Sequence, residues 1–291
     1  MTCANCGTDN VEDARFCSQC GSRLDSRAEA GPYRPLDIRL ADRPQGSIPA
    51  RDLGGLIGET LGVYGRSFWP FVSIAFLGQL PVVVAILTPE LLSAALSLIG
   101  TFTSLLAGLA LIHAVMQQYT GSRQVDVGEC FSRALDRFII ALAAIIIVIL
   151  VLIGSIVLMI ILVGIPILFY MLVIWFFHQQ AIIVEHRGPI EALGRSRELV
   201  KGTWWRVFGI GAVFVLLLLA LSLPGIIVGL VFGIFNDALG SLVITLTNLL
   251  VLPLLSVSAT VVYIDLRVRK EGYDLETMAT ELGPVPSGFS I

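Results

Sequence analysis

Residues 138–206 read FIIALAAIIIVILVLIGSIVLMIILVGIPILFYMLVIWFFHQQAIIVEHRGPIEALGRSRELVKGTWWR. From Phe138 to Ala181 the run holds no Asp, Glu, Lys or Arg. A charge at mid-bilayer costs roughly 2.5–3.5 kcal/mol on the insertion scale, and each Leu, Ile, Val or Phe contributes about −0.3 to −0.6 kcal/mol. The stretch therefore predicts two spanning helices, broken at Gly164-Ile165-Pro166 and running into a basic elbow that ends in Trp204-Trp205. Ile145 to Ile149 would suit a strand in water. In lipid the backbone must bond within its own segment, so the same residues are helical.

The pattern repeats along the chain. Runs long enough to span fall at 68–88, 91–117, 138–162, 165–184, 205–232 and 239–264, each meeting the requirement of about 20 residues. Hydrophobic residues make up 56% and charged residues 14%, against about 45–50% and 25% in globular domains. That shift predicts an all-α integral membrane protein and excludes a soluble enzyme of ordinary composition. The 19 Lys and Arg lie in the N-terminal segment, the 118–137 and 185–206 connections and the C-terminal segment. The alternate connections, at Thr88-Pro89-Glu90, Gly164-Ile165 and Phe235-Asn236-Asp237, carry none. The positive-inside rule then predicts both termini in the cytoplasm of a plasma (inner) membrane protein.

Short elbows precede the odd-numbered spans. Gly58-Glu59-Thr60-Leu61, Gly128-Glu129-Cys130-Phe131 and Pro189-Ile190-Glu191-Ala192-Leu193 open them, and Phe68-Trp69, Phe138 and Trp204-Trp205 close them. Three helical hairpins with amphipathic cytosolic elbows follow from that repeat. Leu53, Leu56, Ile57, Leu61 and Tyr64 in the first elbow lie near helical spacing, as expected of an interfacial segment.

Residues 1–24 differ in kind. Cys3-x2-Cys6 and Cys17-x2-Cys20 supply four thiolates, the donor set of a closed structural Zn²⁺ site. So small a segment cannot bury enough surface to fold alone, so the metal supplies the folding free energy. Disulfides are the competing reading. No basic start leads into an apolar leader ahead of Cys3, which points to the reducing cytosol and hence to zinc. With all four thiols used as ligands there is no open position for catalysis. Arg15, Arg23 and Arg27 against Asp9, Glu12, Asp13 and Asp25 is the wrong balance for nucleic acid. Residues 25–50 read as a flexible linker, 51–270 as the membrane domain and 271–291 as a cytosolic tail.

Two sets of residues invite functional readings. Arg187, Arg195, Arg197, Lys201 and Arg206 in the third elbow, with Arg267, Arg269 and Lys270 at the exit of the last span, suit anionic lipid headgroups. Topology alone also explains them, and Asp265 with Arg269 forms an i,i+4 pair that fixes register. His113 and Gln117, and His178 and Gln179, place polar groups at the ends of two spans. A lined cavity and simple interhelical hydrogen bonding both account for these. There is no phosphate-cradling glycine loop, HExxH or GxSxG motif.

The elbow EHRGPIEALGRSRELVKGTWWRVFGI and the exit YIDLRVRKEGYDLE resemble those of the membrane domain attached to some bacterial glycerophosphoryl diester phosphodiesterases, a domain also found as a stand-alone protein. The resemblance spans about residues 51–282. In that family the hydrolase is a separate soluble barrel, for which this chain has no room, so no enzymatic activity is implied. The expected function is a non-catalytic scaffold or regulator whose zinc head docks a cytosolic protein while the elbows engage membrane lipid. The alternative is a transporter of a lipid or small solute between the hairpins. An intramembrane enzyme ranks last, for want of ionisable residues at depth.

Overall fold

A computed structural model describes residues 50–120, 124–158 and 164–272. The chain divides into two units, Met1–Gln45 and Gly46–Ile291. The four paired cysteines and most of the C-terminal tail lie outside the described residues.

Among the described residues the second unit is helical throughout: α1 Leu53–Arg66, α2 Phe68–Ile86, α3 Glu90–Tyr119, α4 Val127–Leu158, α5 Gly164–Ile174, α6 His178–Val184, α7 Pro189–Val200, α8 Trp204–Phe235 and α9 Asp237–Glu271. Six helical stretches are long and apolar enough to cross a membrane: Phe68–Ile86, Glu90–Tyr119, Val127–Ile156, Gly164–Val184, Trp204–Phe235 and Asp237–Glu271. This is a multi-pass membrane protein. Large apolar side chains such as Ile139, Leu150, Leu216 and Phe235 point outward, where hydrocarbon and not water is the solvent.

Local chemistry sets the helix ends. Asp52 caps α1 by accepting from Gly55 N–H at 2.9 Å, and Asn236 caps α9 by accepting from Leu239 N–H at 3.1 Å. Pro189 opens α7 at a position whose N–H has no helical use, and Glu191 reaches back to Gly188 N–H at 3.3 Å. Gly272 ends α9 in the left-handed region at φ 65°.

Two spans depart from expectation. The third begins well before Phe138, because α4 runs unbroken from Val127. Between Val127 and Phe138 no proline stands, and Gly128 sits in the first turn, so nothing stops the helix and this elbow is simply its first turns. The fourth is interrupted where only continuity was expected: Trp175-Phe176-Phe177 separate α5 from α6.

Small residues let the hairpins close. On α8, Gly225, Gly229 and Gly233 recur every fourth residue and face Gly240, Ile244 and Thr247 of α9. A Cβ at Gly240 would stand 2.6 Å from the Gly229 carbonyl oxygen and 2.6 Å from the Gly233 Cα. Gly78 of α2 meets Ala107 of α3, and Gly100 of α3 meets Val82 of α2, in the same manner. With no hydrophobic drive between helices in lipid, such close backbone approach is what holds a hairpin shut.

Candidate functional site

The polar chemistry of the helical unit gathers at one end of the bundle, where α1, α7 and the C-terminal turns of α9 meet. Glu185, just past α6, is the first hub, its side chain only 5% exposed. Arg195 Nε of α7 donates to both of its carboxylate oxygens at 2.8 Å. Tyr263 Oη of α9 donates to Oε1 at 2.5 Å, and Arg267 Nε lies 3.6 Å away. Arg267 and Arg195 also pair with Glu271. Burial alone pushes the Glu185 carboxyl upward. The hydrogen bonds from Tyr263 and Arg195 and the charges of Arg267 and Arg195 outweigh it and hold the group below its ordinary range.

Asp265, 1% exposed, is the second hub. It accepts from the Arg51 backbone N–H at 2.6 Å, Arg206 Nη2 at 3.1 Å and Arg269 Nε at 2.8 Å. The guanidinium groups of Arg206 and Arg269 also donate to the Arg51 carbonyl. Lys270 Nζ donates to the Glu198 and Lys201 carbonyls at 2.8 and 2.6 Å, which have no intrahelical partner at the end of α7. Farther back along α9, Tyr64 Oη of α1 donates to the Leu250 carbonyl at 2.7 Å, close to Pro253 inside that helix. Burial pushes this phenol up to about 12, which keeps it a donor.

The eight basic residues read as headgroup ligands thus divide. Arg195, Arg206, Arg267 and Arg269 point inward onto Glu185, Asp265 and Glu271, and Lys270 is spent on carbonyls. Arg187 keeps a longer contact to Glu185 at 3.4 Å. Arg197 and Lys201 have no ion pair among the described residues and line an open cavity of about 570 Å³ with Tyr170, Trp204 and Glu198. Charge count could not separate these groups: Arg269 and Arg267 have i,i+4 carboxylates at Asp265 and Glu271, but Asp265 also claims Arg206, and Glu185 claims Arg267, from distant parts of the chain.

At the interruption of the fourth span, Ser196 of α7 is fully buried. Its Oγ donates to the Ile174 carbonyl at 2.7 Å and accepts from Phe177 N–H at 3.0 Å. One hydroxyl therefore satisfies both backbone groups that the break leaves inside the bundle. Ser196→Ala should destabilise the unit by about 2–4 kcal/mol, since each orphaned backbone group costs about 1–3 kcal/mol. Thermal unfolding in detergent checks this, and Ser196→Thr, which keeps the hydroxyl, should recover most of the loss.

The polar residues expected to share a cavity do not all do so. His178 and Gln179 line a cavity of about 350 Å³ between α2, α3, α6 and α9, together with Gln180, Gln79, Asn248 and Ser104. His113 borders a separate space of about 70 Å³ beside Arg133, Asp136, Arg137 and His186. Gln117 is engaged by hydrogen bonds: its Nε2 donates to Glu129 at 2.9 Å, and its Oε1 accepts from Asp126 N–H at 3.2 Å. His113 stands on α3 and His178 opens α6, whose other end, at Ile183, lines the smaller space. Cys130 is buried with its Sγ 3.6 Å from Gln117 Oε1, a packing position. The glycine seam of α8 and the role of Ser196 escaped the sequence reading, although the seam had left a spacing of four to find.

Among the described residues no group of three or more His, Cys, Asp or Glu is arranged to hold a metal. Comparison with protein families matches a zinc-ribbon domain over residues 2–24, which includes all four paired cysteines. The match does not extend into the helical unit. No curated protein and no solved structure matches the chain.

Proposed function

We propose that this is a non-catalytic membrane scaffold or regulator, whose ribbon holds one structural Zn²⁺ through Cys3, Cys6, Cys17 and Cys20 and docks a cytosolic protein. The carrying observation is the charged end of the bundle. Its carboxylates are engaged by arginines and a tyrosine, and so they brace helices. The donor set supports zinc, since four thiolates in paired CxxC turns match its tetrahedral preference. Bound there, the metal supplies folding energy and no chemistry. Both termini lie on the cytoplasmic side, and Arg197 and Lys201 are the cations that meet anionic lipid. The membrane-domain resemblance over about residues 51–282 fits this reading and brings no hydrolase with it.

The test is metal content and docking measured together. The full chain should carry one equivalent of zinc by elemental analysis and crosslink, through a photoreactive group in the ribbon, to a cytosolic protein on isolated membranes. Cys3→Ser should lose both while unfolding of the helical unit is unchanged. A full zinc equivalent retained by Cys3→Ser would refute the ligand assignment.

A second reading, passage of a lipid or small solute between the hairpins, is favoured by one observation: the cavity beside His178 is lined by polar side chains, among them Gln79, Gln179 and Asn248.

A further inference from the structure

The end of α7 carries two cations that the fold leaves unspent. Arg197 and Lys201 stand one turn apart, and both are exposed. The ion pairs of this helix go instead to Arg195, which meets Glu185, Glu198 and Glu271. Arg197 and Lys201 have none among the described residues. The carbonyls of the same turn, which would repel an anion, are already occupied. Lys270 Nζ donates to those of Glu198 and Lys201 at 2.8 and 2.6 Å, and Thr203 N–H donates to that of Val200 at 3.0 Å.

Both cations border the cavity of about 570 Å³. Among its described walls the one carboxylate is that of Glu198, which has Arg195 Nη1 at 3.9 Å. The walls therefore keep an excess of positive charge, which selects an anion. The rest of the lining is largely hydrocarbon: Ile174 and Val200, with the rings of Tyr170 and Trp204 stacked at 6.3 Å. Tyr170 and Ile174 belong to the fourth span, whereas Arg197 and Lys201 belong to the elbow. The cavity thus straddles the boundary between hydrocarbon and headgroups, and the exposed Trp205 next to Trp204 marks that level. An inorganic anion would satisfy the cations and leave the aromatic wall bare. An amphiphile covers both.

We infer that this cavity seats a single anionic glycerophospholipid, its phosphate between Arg197 and Lys201 and its first acyl carbons against Tyr170, Ile174 and Trp204. A guanidinium holds phosphate through two parallel hydrogen bonds, and the ammonium adds a point charge on a flexible stem. The inference rests on the contact of these two cations with anionic lipid proposed above, and it turns a diffuse attraction into a bounded site. It is independent of the zinc ribbon.

The full chain is reconstituted in nanodiscs of equal parts phosphatidylcholine, phosphatidylethanolamine and phosphatidylglycerol with matched oleoyl chains. Native mass spectrometry then counts the lipid retained on the released protein. The wild type should keep phosphatidylglycerol in preference to either zwitterionic lipid, and soluble glycerol 1-phosphate should not displace it. Arg197→Gln and Lys201→Gln should each weaken retention about tenfold, the loss of one hydrogen bond to a charged group. Neither should lower the unfolding temperature in detergent, because neither side chain is paired within the described residues. Gly194→Trp fills the cavity from a lining position whose Cβ would meet nothing within 4 Å, and should abolish retention with both cations in place. Gly194→Leu is the smaller filler should the tryptophan prevent assembly. Arg66→Gln removes an exposed arginine of the first elbow that does not line the cavity, and should retain the lipid. Equal loss in Arg66→Gln with full retention in the Gly194 variants overturns the bounded site and leaves the diffuse contact standing. No preference for phosphatidylglycerol in the wild type overturns both. Displacement by glycerol 1-phosphate, or equal retention of phosphatidylethanolamine, overturns the assignment of an anionic lipid.

Discussion

Glu185→Ala should unfold or prevent assembly of the helical unit, with a loss of about 3–5 kcal/mol, the cost of removing one partner of a buried ion pair. The size of the effect comes from what is left behind. Arg267, its side chain 6% exposed, would lose a carboxylate partner, and Arg195 and Tyr263 would lose their shared acceptor. Three separate stretches, the exit of the fourth span, α7 and α9, are joined at this one carboxylate. Glu185→Gln should retain part of the stability, because an amide oxygen still accepts from Tyr263. The pH dependence has a definite sign. The folded carboxyl titrates below its unfolded counterpart, so its stabilisation is complete above the ordinary glutamate pKa of about 4.3 and is lost as pH falls through the lowered folded value. Unfolding temperature in detergent should therefore be flat from neutrality to about pH 5 and fall below about pH 4. Glu185→Gln should flatten that acid limb. An unchanged limb would place the acid sensitivity elsewhere.

Gly240→Val should open the α8–α9 hairpin. The added carbons would meet backbone atoms of Gly229 and Gly233 at 2.6 to 2.8 Å, which cannot rotate aside as a side chain can. Overpacking usually costs about 1–3 kcal/mol, and a backbone obstruction stands at the upper end or beyond because the two helices must part along their seam. Gly240→Ala should show the same loss in smaller measure. Gly209→Ala, on α8, is the control, because its new methyl carbon would meet nothing within 4 Å. It should be neutral or raise stability by up to about 0.5–1 kcal/mol, the usual gain from removing a mid-helix glycine. Recovery of monodisperse protein after heating separates the three.

The six spans were legible because hydrocarbon demands long runs without charge. What could not be read depends on contacts between distant residues. Trp175-Phe176-Phe177 is as apolar as the helices beside it, and the break there is stable because Ser196, about 20 residues later, supplies both missing bonds. Arg195 and Arg267 resemble headgroup ligands until Glu185 and Glu271 are brought against them. His113 and His178 looked equivalent because each stands near a span end, but helical register decides which cavity a side chain faces. The paired cysteines were the clearest signal in the chain, since a zinc-ribbon motif is written in spacing and needs no tertiary information, and the family match over residues 2–24 covers all four.

Ser196 and Arg197 are neighbours on a single 12-residue rod, one side chain sewn into the fourth span and the other facing outward. The rod therefore joins two environments: Ser196 is bonded to Ile174 and Phe177 inside the bundle, one residue before His178, while the side chain of Arg197 is exposed.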